Sequence, residues 1–152
     1  MKIGVIGRGF VGSAVEFGFS AQCGCSAQIK SFDIDPKKSK DSLEETLNES
    51  DFIFLSVPTP SNSYGIDTSY LVKALENIVN TNKRNDNIIL IRSTIIPGTT
   101  KILQAQFSSL NIVFNPEFLT QRSAKYDFIN QSRFVLGGKD IFTNKVADLY
   151  RW

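Results

Sequence analysis

The chain has 152 residues, of which 41% are hydrophobic and 21% charged, with a net charge of +2. That length suits one domain with a full apolar core, and the balance is ordinary for a globular protein. So small a net charge gives no broad attraction for nucleic acid or membrane, and no apolar run approaches bilayer length.

The first strand is read at Ile3, Val5 and Ile6, with helical spacing at Val11, Ala14, Val15 and Gly18. It begins at once, without the charged, apolar and small-residue regions of a secretory leader, so the cytoplasm is the expected compartment. Cys23 and Cys25 are the only cysteines and there is no histidine, so they cannot complete a four-ligand zinc site without carboxylates or another chain, and they read as reduced thiols at a helix end. A second strand, 27–33, ends on Asp33. Asp35-Pro36 then reads as a helix cap with a first-turn proline. The lysines at 37, 38 and 40, like Lys83-Arg84, read as solvated faces.

A third strand, 51–57, stops at Pro58-Thr59-Pro60, and 61–65 reads as a loop. Asp67 caps a helix carrying Leu71, Val72, Leu75, Ile78 and Val79. A fourth strand, 87–92, leads through Ser93-Thr94 to a Pro97-Gly98-Thr99 turn and another helix. The fifth strand is 112–114, and the sixth is 134–136, before Gly137-Gly138. Arg92 and Arg133 flank strands and read as structural or surface residues. The last helix carries Phe142, Val146, Leu149, Tyr150 and Trp152 as an apolar stripe. That stripe predicts a face covered by a second copy or a partner chain. Alternating strands and helices predict an α/β, doubly wound parallel sheet (Rossmann fold) of about six strands, one domain over 1–152.

The most informative segment is Gly7-x-Gly9-x-x-Gly12, placed between strand and helix. Gly7 allows the tight turn, Gly9 lets the backbone approach a diphosphate, and Gly12 lets helix and sheet pack closely. The helix then presents free N–H groups and the positive end of its dipole to an anion. Asp33 follows about twenty residues later, where a carboxylate accepts from both ribose hydroxyls and repels a 2′-phosphate. The pattern therefore favours NAD over NADP, with the nearby lysines arguing mildly the other way. Ligands of such sheets lie beyond the carboxyl ends of the strands, so the loops at 7–12, 58–60, 93–98 and 115–119 should share one rim.

Taken together, Gly7-Arg-Gly-Phe-Val-Gly12, Asp33-Ile-Asp-Pro with Lys38, Val57-Pro-Thr-Pro60, Ser93-Thr-Ile-Ile-Pro-Gly-Thr99 and Asn115-Pro-Glu-Phe-Leu119 with Ala124 and Asp127-Phe128 resemble the amino-terminal domain of the nucleotide-sugar 6-dehydrogenases, the UDP-glucose and GDP-mannose dehydrogenase family. The resemblance runs through the whole chain. It implies cofactor contacts from Gly7, Gly9, Phe10, Val11 and Gly12 of the first turn, from Asp33 and Lys38, from Val57, Pro58 and Thr59, and from Thr94. It implies that Thr94 and Glu117 position a water for proton transfer or thioester hydrolysis, and that the backbone at Phe118 and Leu119 meets the sugar nucleotide, a UDP-hexose or GDP-hexose. Read without it, Thr59, Thr94 and Glu117 are ordinary turn and cap residues.

The family's reaction oxidises a C6 alcohol twice, through an aldehyde captured by a cysteine thiolate. That cysteine lies in a glycine-rich motif past the first domain and has no counterpart in this sequence, nor do the family's central and carboxyl-terminal domains. Gln121-Arg122 stand where the family has an acidic residue and a glycine. Two readings follow. Either this is the cofactor half of such a dehydrogenase, unable to complete the double oxidation alone, or it is a non-catalytic module binding NAD or a nucleotide for regulation or assembly. A β-hydroxyacid dehydrogenase relative fits Val57-Pro-Thr-Pro60 and Asn115-Pro-Glu117 poorly.

Overall fold

In the computed structural model, which describes residues 1–63 and 65–151, the apolar runs become a six-stranded sheet with helices on both faces. The first half comprises β1 (Lys2–Ile6), α1 (Phe10–Gly18), β2 (Gln28–Phe32), α2 (Leu43–Asn48), β3 (Phe52–Leu55), β4 (Ser61–Asn62), β5 (Gly65–Ile66) and α3 (Ser69–Thr81). The second half adds β6 (Ile88–Ile91), α4 (Thr99–Gln106), β7 (Asn111–Phe114), α5 (Ala124–Asn130), β8 (Gly137–Gly138) and α6 (Asp140–Leu149). Strand order is β2-β1-β3-β6-β7-β8, parallel except for β8. The order reverses direction between β1 and β3, which is where a doubly wound sheet opens a crevice.

Successive strand residues point to opposite faces, so each central strand feeds two cores. Val5, Phe54, Leu90 and Val113 meet Val15 and Phe19 of the α1 side, together with Phe128, Val146 and Leu149. Ile53, Leu55, Ile89, Ile91 and Ile112 instead meet Leu47, Leu71, Leu75, Ile78 and Leu103 of α2, α3 and α4. Continuous apolar strands of this kind are what burial on both faces demands.

Four expectations are corrected. The sixth strand is Gly137–Gly138 rather than 134–136, and it runs antiparallel to β7, with Phe114 opposite Gly137. The intervening helix α5 packs Phe128 over Gly18 on α1, and the chain re-enters the sheet beside the carboxyl end of β7. Residues 134–136 serve other contacts: Phe134 stacks on Tyr150 with ring centroids 3.7 Å apart, and the Val135 carbonyl accepts from Asn115 Nδ2 at 3.1 Å.

Asp35-Pro36 begins no helix. Asp35 closes a turn, its carbonyl accepting from the Lys38 and Ser39 amides, after which the Lys40 and Asp41 amides bond to the Ser31 carbonyl and hold the chain against β2. The helix starts later, behind Ser42, in a capping box with Glu45: Ser42 Oγ accepts from the Glu45 amide at 3.1 Å while Glu45 Oε2 accepts from the Ser42 amide at 2.8 Å. The stretch read as a loop after Pro60 contains a short hairpin, with Ser61 opposite Ile66. Asp67 does serve the following helix, accepting from the Ser69 amide at 2.9 Å, although Thr68 holds the N-cap position.

The apolar stripe of the last helix is not an open face. Val146 and Leu149 are buried in the α1-side core, Phe142 and Tyr150 pack against it, and Trp152 lies outside the described residues. With these side chains covered by the chain itself, the stripe gives no reason to expect a second copy or partner there.

Candidate dinucleotide site

The loops that leave the sheet are fixed at their roots by backbone hydrogen bonds continuing the ladder. Gly7 donates to Phe32, Ser56 to Ile6, Arg92 to Leu55 and Asn115 to Ile91, at 2.8–2.9 Å. Each loop therefore departs from a strand tip whose height is set by its neighbour, and the tips align along one rim. Above them lies a cavity of about 740 Å³, within the range of cofactor-sized sites.

Two glycines of the first turn are structurally obligatory. Gly7 has φ +90°, and a Cβ there would run into the Ser56 carbonyl; a Cβ on Gly12 would overlap the Gly7 carbonyl oxygen. Gly9 differs: a Cβ there meets nothing within 4 Å and would project into free space. The α1 N-terminus has no side-chain cap, so its leading amides are left for a ligand. An open approach at Gly9 over uncapped amides is the cradle that a diphosphate fits.

Asp33, half-buried at the tip of β2, ties this turn to the next loop. One carboxylate oxygen accepts from the Arg8 amide at 2.5 Å and the other from the Asp35 amide at 2.8 Å. Each oxygen keeps a further lone pair for a hydroxyl donor. The Arg8 side chain clamps the same region from outside. It donates to the Lys38 carbonyl and forms a two-pronged contact with Glu16, Nε to Oε1 at 2.5 Å and Nη2 to Oε2 at 3.0 Å. Lys40 Nζ adds a third contact to Glu16 Oε2 at 3.0 Å. Burial alone would raise the Glu16 pKa, but hydrogen bonds from Arg8, Lys40 and Ser31 outweigh it and hold the carboxyl below its ordinary value.

The cavity runs from Asp33, Ile34 and Lys38, past Gly7, Gly9, Phe10 and Val11, to Val57, Pro58 and Thr59, and ends at Arg92, Ser93, Thr94 and Glu117. Its opposite wall is α3, through Tyr70, Lys73, Ala74 and Asn77. Of the residues singled out in the sequence, Gly12 lies buried beneath the turn rather than on the wall, while Phe118 and Leu119 fall outside the cavity. Phe118 is exposed with the Arg133 guanidinium 5.5 Å from its ring, Leu119 packs on the core, and the Leu119 amide donates to Glu117 Oε2 at 2.6 Å. Cys23 and Cys25 lie past α1 and line none of this wall.

Two contributions carry no local signal in the sequence. The α3 wall residues sit on a helix face whose pattern reads simply as amphipathic. Arg92, read as structural or surface, is 1% exposed at the inner end of the cavity. Its position follows from period-2 alternation: Ile88, Leu90 and Arg92 share one face of β6, as Val113 and Asn115 share that face of β7, and Arg92 Nη1 donates to Asn115 Oδ1 at 2.7 Å.

Fold and cavity together define a dinucleotide-binding domain of the dehydrogenase class. Comparison with known proteins narrows this to one family. The chain belongs to the UDP-glucose/GDP-mannose dehydrogenase family, whose NAD binding domain matches residues 38–152, and NAD is accordingly its cofactor. It is 33% identical over 110 residues to a UDP-glucose 6-dehydrogenase of Campylobacter jejuni, a match taking in 71% of this chain and 28% of that enzyme. Among solved structures it is similar to a UDP-glucose dehydrogenase from the hyperthermophilic archaeon Pyrobaculum islandicum, with a TM-score of 0.81 and 23% identity over 99% of this chain and 44% of that one. It is also similar to a GDP-mannose dehydrogenase of Pseudomonas aeruginosa solved as a ternary complex, with a TM-score of 0.80 and 20% identity over 98% of this chain and 43% of that one. The chain thus spans less than a third of that curated relative and less than half of either solved chain. Among the described residues no helix is long and apolar enough to cross a membrane.

Proposed function

We propose that this chain is the cofactor-holding part of a nucleotide-sugar 6-dehydrogenase acting on a UDP-hexose or GDP-hexose, and that by itself it does not complete the double oxidation. The observation that carries the reading is the single cavity linking Asp33 at one end to Thr94 and Glu117 at the other across five strand tips. Gly7, Gly9, Phe10 and Val11 cradle the diphosphate, with Gly12 keeping α1 close beneath. Asp33 takes the adenosine ribose hydroxyls, with Lys38 beside it. Val57, Pro58 and Thr59 border the nicotinamide half, which puts the reacting end beside Thr94 and Glu117.

When bound, NAD supplies a hydride acceptor. The chain's own task there is to orient a C6 hydroxyl and hold its proton. Thr94 offers a hydroxyl, and Glu117 a carboxylate whose Oε2 is steadied by the Leu119 amide. The Phe118–Leu119 backbone borders the sugar nucleotide. A thiolate within bonding distance of an aldehyde is needed for the second oxidation, and Cys23 and Cys25 line no part of the cavity. In the cytoplasm, where this reading places the protein, both remain thiols.

Calorimetry of NAD, NADP and UDP-glucose against the chain tests the reading. NAD is expected to bind more tightly than NADP, and Asp33→Ala to weaken NAD by about 1–3 kcal/mol through lost charged hydrogen bonds. No NAD binding, or tighter NADP binding, would overturn the cofactor assignment. Detection of a sugar acid from the purified chain with NAD and a UDP-hexose would overturn the claim that it cannot finish the reaction.

A further inference from the structure

Arg92 is the largest of the fully buried side chains, and its charge is held without an ion pair among the described residues. Nη1 donates to Asn115 Oδ1, and the guanidinium lies 5.8 Å from the Phe128 ring centroid, while Nε and Nη2 have no hydrogen-bond acceptor. Among the described residues no carboxylate forms an ion pair with it. The groups in direct contact with it, Asn115 and Phe128, are neutral. Asn115 is fully engaged, its Oδ1 also accepting from the Tyr150 hydroxyl at 2.7 Å and its Nδ2 donating to the Val135 carbonyl. Burial pushes the Tyr150 hydroxyl up to about 12, so it carries no charge at neutral pH. Burial likewise pulls the Arg92 guanidinium below its ordinary value, with Tyr150 and Glu117 acting in the opposite direction, yet a guanidinium stays protonated at neutral pH.

A buried cation with two unsatisfied donors is costly, and native structures seldom keep one without a use. Its place gives the use. Arg92 lines the cavity end where Thr94 and Glu117 sit, and Glu117 is committed to the Leu119 amide rather than to Arg92. The NAD couple takes up one hydride, two electrons with one proton, and the charge on the nicotinamide ring falls from +1 to zero. A fixed positive charge near the ring therefore disfavours the oxidised form alone, and the diphosphate cancels in the comparison because both forms carry it.

We propose that Arg92 supplies a positive charge outside any ion pair at the Thr94–Glu117 end of the cavity, which biases this chain toward the reduced dinucleotide and makes bound NAD a stronger hydride acceptor, with the Glu117 carboxylate opposing it. This rests on the reading that places the nicotinamide half at that end. The role proposed for Arg92 is that of a fixed charge and not of a proton donor, because a guanidinium stays protonated. In a water-poor, preorganised setting a charge of this kind is weakly screened.

The test is the ratio of dissociation constants, Kd(NAD) over Kd(NADH), measured by calorimetry on the full chain and on Arg92→Gln, Arg92→Lys and Glu117→Gln. Arg92→Gln is expected to lower the ratio about tenfold, or about 1.4 kcal/mol, and Arg92→Lys to hold it within about twofold. Glu117→Gln is expected to raise it. Loss of structure alone would weaken both forms together and leave the ratio unmoved. If both forms bind and Arg92→Gln leaves the ratio unchanged, the proposal falls while the cofactor reading stands; if the unmodified chain binds neither form, the cofactor reading itself falls. Should Arg92→Gln fail to fold by circular dichroism, Glu117→Gln decides, and an unchanged ratio there overturns the proposal.

Discussion

Replacing Glu16 by glutamine tests the clamp that holds the glycine turn against the loop after β2. Glu16 is 9% exposed and receives two hydrogen bonds from Arg8 and one from Lys40. Removing one partner of a charged, partly buried hydrogen bond costs about 1.5–3 kcal/mol. The Lys40 side chain is 61% exposed, so its share is at most about 0.5–1 kcal/mol. Glutamine keeps one acceptor oxygen but turns an amide N–H toward the guanidinium, so the net loss should be about 2–3 kcal/mol, or roughly 4–12 °C in Tm for a chain of this size.

The pH dependence carries the sign. The folded-state pKa of Glu16 is depressed, so the unfolded chain binds the proton more readily. Its stabilisation is complete above the unfolded value near 4.5 and disappears as pH falls through the lower folded value. Urea denaturation of the two proteins at pH 7.5 and at successively lower pH should therefore show the gap narrowing from below about pH 4.5. A gap under about 0.5 kcal/mol at pH 7.5, or one that persists undiminished in acid, would refute the reasoning.

Two further substitutions probe the scaffold. Phe128→Ala removes a ring that is 6% exposed, packs edge-on to Phe19 and over Gly18, and faces Arg92, so it should cost about 3–4 kcal/mol by thermal or urea unfolding; a loss under 1 kcal/mol would mean that α5 is not held by this contact. Ser42→Ala removes the acceptor of the Glu45 amide and should cost about 1 kcal/mol, whereas Ser42→Asp should restore most of it. Equal destabilisation by both would show that the capping box is not what starts α2.

The legible parts of the fold were those written in local sequence. Strands β1, β3 and β6 are apolar runs such as Phe52–Leu55 and Ile88–Ile91, and burial on both sheet faces leaves little else for such runs to be. The glycine turn was legible because its requirement is local: Gly7 holds φ +90°, and a Cβ on Gly12 would collide with the Gly7 carbonyl of the same turn. Asp33 was legible because it closes the strand that follows that turn.

Contacts between segments distant in the chain decided the remainder. β8 lies at Gly137–Gly138 and runs antiparallel because α5 packs on α1 and returns the chain to the carboxyl end of β7. The apolar stripe of the last helix could face a partner or its own core by periodicity alone, and packing beside Phe19 and Phe128 settles it inward. Arg92 reads in sequence as a charge at the end of a strand, and such charges usually reach water. Only the meeting of β6, β7, α5 and Tyr150 turns it into a buried cation, because solvent exposure is a property of the neighbours a side chain acquires on folding and not of the residue itself.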